Sequence, residues 1–181
     1  LATSNSSEIR IQSLETFKQI YLDDVAQIRL FRDMLLNLTH NKAAGVRKDA
    51  TSMLIRFLLE QPSSSKDIAL IIQQIQKMSH DYDHEVRLEI ARNLYAILRQ
   101  FPQTLNDLLY IIFTFLRRGE TDILDQTGIV VKYIWTAFPP LQEELLSRLK
   151  QFHKKSINPI ILTLIEELKR SQSQNGGKKT K

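Results

Sequence analysis

The sequence predicts an all-α protein built from about four antiparallel helix pairs and a C-terminal capping helix. Three observations carry this prediction. Gly and Pro number only five each in 181 residues, too few for a sandwich or barrel needing turn residues every ~8–12 positions. Apolar residues recur at three- and four-residue spacing, the period of one helical face. The chain also matches itself at an offset of 40 residues, as a tandem structural unit would.

In that match Val46-Arg47 falls on Val86-Arg87, Leu54 on Leu94, Leu58 on Leu98 and Pro62 on Pro102. These are five identities in 17 positions, where ordinary composition gives roughly one. Asp67 then lies on Asp107, and Ile71-Ile72 on Ile111-Ile112. At an offset of 37, Ile9-Arg10 aligns with Val46-Arg47, and Phe17 and Tyr21 take the places of Leu54 and Leu58. At the same offset Ile134 and Phe138-Pro139 align with Ile97 and Phe101-Pro102, while Leu124 replaces the arginine.

The first pair reads as about Glu8–Tyr21 and Val25–Leu38. In the second, a helix from about Val46 to Glu60 buries Val46, Ala50, Leu54, Phe57 and Leu58 and ends before Pro62. The turn Pro62-Ser63-Ser64-Ser65 caps a partner helix carrying Ile68, Leu70, Ile71, Ile72, Ile75 and Met78. In the third, Asp81 and Asp83 cap a helix whose apolar face is Val86, Ile90, Leu94, Ile97, Leu98 and Phe101. Pro102 stops it, and its partner, about Leu105–Arg118, is apolar almost all round and must be covered on more than one side. The fourth pairs Ile123–Phe138 with Leu141–Lys154. The last helix, about Asn158–Arg170, opens on Asn and Pro, the order favoured at a helix start. The units are therefore about 6–40, 41–80, 81–118 and 119–155, with a capping helix at 157–171. One domain spans 1–172, followed by a disordered basic tail, 173–181.

The segment Asp81-Tyr82-Asp83-His84-Glu85-Val86-Arg87, followed by Ala91 and Leu94, resembles the first half of a HEAT repeat. Spacing in the second copy is also similar to scaffolds of nuclear RNA-processing complexes. The resemblance implies a right-handed α-α superhelix whose acidic and arginine side chains interlink along the stack. Here that role would fall to Asp83, Arg87, Arg47 and Arg10, with the series incomplete because Ala43 stands where Asp83 would be.

The function classes narrow accordingly. No apolar run approaches the ~18 residues of a membrane span. Without cysteine there are no disulfides, thiolate metal sites or cysteine nucleophiles, which fits an intracellular protein; the resemblance favours the nucleus over the cytoplasm. The opening Leu1–Ser7 lacks Met and a secretory pattern and reads as the start of a piece of something longer. Catalytic and nucleotide motifs are missing. His80 and His84, with Asp81 and Asp83 between them, are two imidazoles where a catalytic zinc takes three ligands, so we expect no metal and no cofactor. Asp23-Asp24, Glu143-Glu144 and Glu166-Glu167 are adjacent pairs that diverge by about 100° on a helix, unsuited to shared acid–base work. An enzyme acting on alkylated DNA would need Trp135 beside an acid such as Asp125, but Trp135 reads first as core, and Gly128 as a site of close helix packing.

What remains is a non-catalytic scaffold: a helical-repeat module of a larger multi-subunit complex, binding another protein or a peptide segment along its second helices. The polar positions there are Gln73, Gln76, Lys77, Asn106, Tyr110, Arg148 and Gln151. The alternative partner is nucleic acid. Residues 101–181 carry 12 Lys+Arg against 8 Asp+Glu, and Arg117, Arg118, Lys150, Lys154 and Lys155, with Arg148 and His153 nearby, form a basic edge that can track phosphates. Cations are also favoured at helix C-termini for their own sake. No small-molecule substrate is expected.

Overall fold

The computed structural model describes residues 2–21, 25–60, 64–156 and 158–176, with the side chains of 17, 18, 20, 21, 25–27, 156 and 172–176 left out. The expectations for Phe17, Tyr21, Asp23-Asp24 and Pro62 therefore lie outside the described residues. Among those residues the secondary structure is entirely helical: α1 Ser7–Tyr21, α2 Val25–Leu38, α3 Ala44–Glu60, α4 Ser65–Met78, α5 His84–Gln100, α6 Leu105–Arg118, α7 Thr121–Ala137, α8 Gln142–Ser156 and α9 Pro159–Gly176. Two short 3-10 turns, Pro102–Thr104 and Pro139–Leu141, precede α6 and α8. The chain divides into two compact units, 1–108 and 109–181.

In the first unit α3 is central, packing against α1, α2, α4 and α5. The predicted face Val46, Ala50, Leu54, Phe57 and Leu58 is buried, joined by Met53 and Ile55, and the Phe57 ring meets Phe31 of α2 at 5.9 Å. Each fully buried Val, Leu, Ile, Phe or Met among them contributes about 1.5–3 kcal/mol of transfer free energy. On α4, Ile68, Ile71, Ile72, Ile75 and Met78 are buried as expected, but Leu70 is 39% exposed. The α4 N-cap is Ser64, whose hydroxyl accepts from the Asp67 amide. Asp83 caps α5 by accepting from the Glu85 and Val86 amides.

Two Phe-Pro steps end α5 and α7 alike. Phe101 and Phe138 take nearly the same backbone angles, φ −127°, ψ 66° and φ −129°, ψ 69°, because the ring of a following proline disfavours the helical region. Phe138 and Leu141, expected from sequence as the end of one helix and the start of the next, therefore lie one residue outside α7 and α8.

In the second unit α9 packs on both α7 and α8. Asn158 accepts from the Ile160 amide at 2.9 Å, with Pro159 at the first helical position, where its missing N–H costs nothing. Among its described side chains the helix buries the stripe Ile161, Leu164, Ile165 and Leu168. It runs to Gly176, so 173–176 are helical rather than part of a tail; 177–181 lie outside the described residues. Gly119 ends α6 with φ 74°, the left-handed geometry that a β-carbon resists. Trp135 is 2% exposed and belongs to the core. Gly128 is not a close-packing site, since a β-carbon there would meet nothing within 4 Å. No helix among the described residues is long and apolar enough to cross a membrane.

Candidate functional site

Charge in the first unit is organised by arginines that point from one helix pair to the next. Arg10 Nε donates to Asp49 Oδ2 at 2.6 Å, both side chains being buried. Arg47 holds Asp81 through two bonds, Nε to Oδ2 at 2.7 Å and Nη2 to Oδ1 at 2.9 Å, the paired geometry that makes arginine–carboxylate contacts strong. Arg87 Nη1 donates to the Asp81 carbonyl at 2.6 Å. The acids of this series are thus Asp49 and Asp81, not Asp83, whose carboxylate is taken up by its own helix start.

Burial of Asp81 opposes its ionisation. The bonds from Arg47 and the Asp83 amide, with the charges of Arg47 and Arg87, outweigh it and hold the carboxyl below the usual aspartate range. The bond from Asp81 in turn holds Arg47 protonated beyond its ordinary value.

Beside this frame lies an open groove of about 720 Å³ along α2 and α4. Its walls include Arg29, Arg32, Lys66, Asp67, Leu70 and Asp107, and the predicted Gln73 and Gln76 line it. Arg32 bonds to both Asp33 and Asp67. The Ser64 hydroxyl at 2.7 Å is the main cause of a lowered Asp67 carboxyl, with help from the Arg32 charge. Leu30, beside Arg29, is 62% exposed. Lys77 lies instead on a second cavity at the turn end of α4, and the exposed Asn106 is not part of the groove.

Sequence reasoning missed Leu30 and Leu70 as surface residues, because leucine on an amphipathic helix reads as core. A signal was present: Leu30, Leu70 and Tyr110 stand 40 residues apart, and each is exposed within its own unit.

In the second unit Tyr110 and Gln151 are exposed, and the Arg148 guanidinium lies 5.4 Å from the Phe113 ring centroid. Gln151 shares a shallow depression with Lys150 and Lys154. Asn158 Nδ2 donates to the Gly119 carbonyl at 3.3 Å, which joins the α8–α9 turn to the end of α6. The bond brings the segment ending in Arg117-Arg118 near the turn that follows Lys154-Lys155, and Arg118 is paired with Glu120 at 3.0 Å.

The residues that sequence offered for chemistry are placed as follows among the described residues. Asp125 and Trp135 are ten residues apart on one helix, about 15 Å along its axis, and only Asp125 is exposed. The adjacent carboxylates diverge: Glu167 reaches Lys132 at 2.7 Å while Glu166 faces Arg170 on its own helix. Among the described residues, no group of three or more His, Asp or Glu is placed to hold a metal ion.

No protein-family model matches the chain, and no curated protein sequence matches it significantly. One solved structure, described as an engineered protein from a structural genomics consortium, is similar at 15% identity with a TM-score of 0.47, covering 93% of this chain and 92% of that one.

Proposed function

We propose that this chain is a non-catalytic interaction scaffold, a HEAT-like helical-repeat module of a larger, nuclear assembly. Its partner would be a protein segment lying on the α2–α4 groove. The observation that carries this reading is the exposure of Leu70 on the groove wall, bordered by Arg29, Lys66, Gln73 and Gln76, with Leu30 exposed at the corresponding position of α2. An apolar anchor within a polar rim is the composition of a protein-binding patch. The inter-pair bonds Arg10–Asp49 and Arg47–Asp81 support the HEAT-like reading, since they join the first pair to the second and the second to the third.

The test compares affinity capture from the source cells by the wild-type chain, by Leu30→Asp/Leu70→Asp and by a control substituted at the exposed Gln100. The reading predicts that proteins held by the wild type and the control are lost from the double variant, and that purified candidates repeat the pattern. Identical capture by all three would overturn it.

A second reading, nucleic-acid binding, is favoured by the Asn158–Gly119 bond, which brings the segment of Arg117 and Arg118 near the turn that follows Lys154 and Lys155, and by the depression that Lys150 and Lys154 share on α8. It predicts a salt-sensitive mobility shift that charge reversal at Arg117, Arg118, Lys154 and Lys155 abolishes.

A further inference from the structure

Between the C-terminal ends of α2 and α4 lies a cavity of about 330 Å³, lined by His40, Lys42, Gln74, Lys77 and Tyr82 among others. Gln74 is only 6% exposed, and its bonding defines what the cavity lacks. Gln74 Nε2 donates to Thr39 Oγ1 at 2.8 Å and lies 3.3 Å from His40 Nε2. The Thr39 hydroxyl spends its own hydrogen on the Leu36 carbonyl at 2.6 Å, so Thr39 must accept from Gln74, and the amide orientation is fixed. Both amide hydrogens are then used, while Gln74 Oε1 has no donor among the described residues. That oxygen is not sealed away; the fully enclosed side-chain atom without a partner is Thr51 Oγ1. Open to the cavity, Gln74 Oε1 can accept from a ligand in place of water.

The charge of the cavity points the same way. Arg47 and Asp81, which also line it, neutralise each other in their two-bond pair. Lys42 and Lys77 are exposed and have no carboxylate partner among the described residues. Tyr82 is 78% exposed, with the Arg47 guanidinium 4.5 Å from its ring centroid. The site therefore offers two ammonium groups, one unmet carbonyl acceptor and an exposed ring.

We propose that this pocket binds an acidic stretch of polypeptide, with a side-chain carboxylate between Lys42 and Lys77 and a backbone N–H on Gln74 Oε1. Every acidic residue carries both groups within one residue's length. A phosphodiester backbone brings acceptors alone, and two lysines are few for tracking it. The proposal rests on the scaffold reading, and it names the chemistry of the partner segment where it passes the end of α4.

The experiment titrates the isotopically labelled full chain with an acetylated glutamate–glycine decapeptide, following backbone amide resonances. The expected result is a saturable shift of the His40, Lys42, Lys77 and Tyr82 amides. Lys42→Glu/Lys77→Glu should weaken it by about tenfold or more, the scale of a charge-assisted bond, and Gln74→Met should weaken it without changing the charge. Circular dichroism confirms that each variant is folded. Absence of a shift, or a shift indifferent to these substitutions, overturns the proposal. So does tighter binding of a single-stranded RNA decamer at the same amides, or full reproduction of the shifts by inorganic phosphate. Leu30→Asp/Leu70→Asp should leave peptide binding intact. Failure of the peptide while that variant still loses its captured proteins removes this proposal alone and leaves the scaffold reading standing.

Discussion

Arg10 reaches Asp49 by passing over Gly45. A β-carbon at Gly45 would lie 2.7 Å from Arg10 Nη2, so the absent side chain opens the route for this buried pair. One repeat later Glu85 occupies the position of Gly45, and Arg47 turns instead to Asp81. In the earlier repeat the residue matching Asp81 is the neutral Asn41. The two ion pairs are alternative answers to one problem, a guanidinium buried at the start of a helix pair.

Asp49→Asn leaves Arg10 buried without its counter-charge and should cost about 3–5 kcal/mol in urea unfolding. Replacing both partners by apolar residues, Arg10→Met with Asp49→Leu, should restore most of that loss. Gly45→Ala should destabilise even though alanine favours a helix by up to about 1 kcal/mol. A more stable Gly45→Ala protein would show that Arg10 swings aside freely.

Acid sensitivity follows from Asp81. Its carboxyl is held below the usual range in the folded chain, so its stabilisation is complete above the unfolded aspartate value of about 3.9. As pH falls from there towards the folded value, the unfolded chain takes up the proton first and stability is lost. Asp81→Asn should be less stable at neutral pH and show a flatter decline below about pH 5. Asp67, lowered mainly by Ser64, leaves a residual slope. Urea unfolding across pH checks this; an unchanged slope would contradict it.

Thr51 Oγ1 is fully buried without a hydrogen-bond partner. Thr51→Val keeps the shape and deletes the unmet hydroxyl, which should raise stability by about 1 kcal/mol, or roughly 2–4 °C in Tm. A lower Tm would mean that the hydroxyl is satisfied by an enclosed water.

Gly128 sits inside α7 with open space where its β-carbon would be. Gly128→Ala should stabilise by about 0.5–1 kcal/mol through helix propensity alone, read by thermal unfolding. Destabilisation would show that α9 packs closer than this geometry allows.

Local chemistry was the readable part of this protein. The bounds of α6, the Asp83 cap and the Phe-Pro helix ends follow from residues adjacent in sequence, and each is found in the structure. The placing of Gln73 and Gln76 on an open surface follows from helical period. Partners across helices were not readable. Asp81 and Asp83 both precede α5, and only the backbone of the turn decides which carboxylate faces Arg47 and which faces its own amides. Asp49 is visible as a partner only once Arg10 is known to cross Gly45. The turn cavity escaped for the same reason, since Thr39 and Gln74 are 35 residues apart. A second copy of the turn was legible, however: Thr39-His40-Asn41 and Ser79-His80-Asp81 match at the 40-residue interval and make the same backbone bonds.

The arginine pairs also have a direction. In both buried pairs, Arg10–Asp49 and Arg47–Asp81, the guanidinium is carried by the earlier helix pair and the carboxylate by the later one. During vectorial synthesis the cation emerges first and waits for an anion still to be made, so an N-terminal fragment cut before Asp49 or Asp81 retains an unquenched charge. Maturation of each pair is thereby tied to the arrival of its successor, and truncation from the C-terminal side should be tolerated least where it strands an arginine.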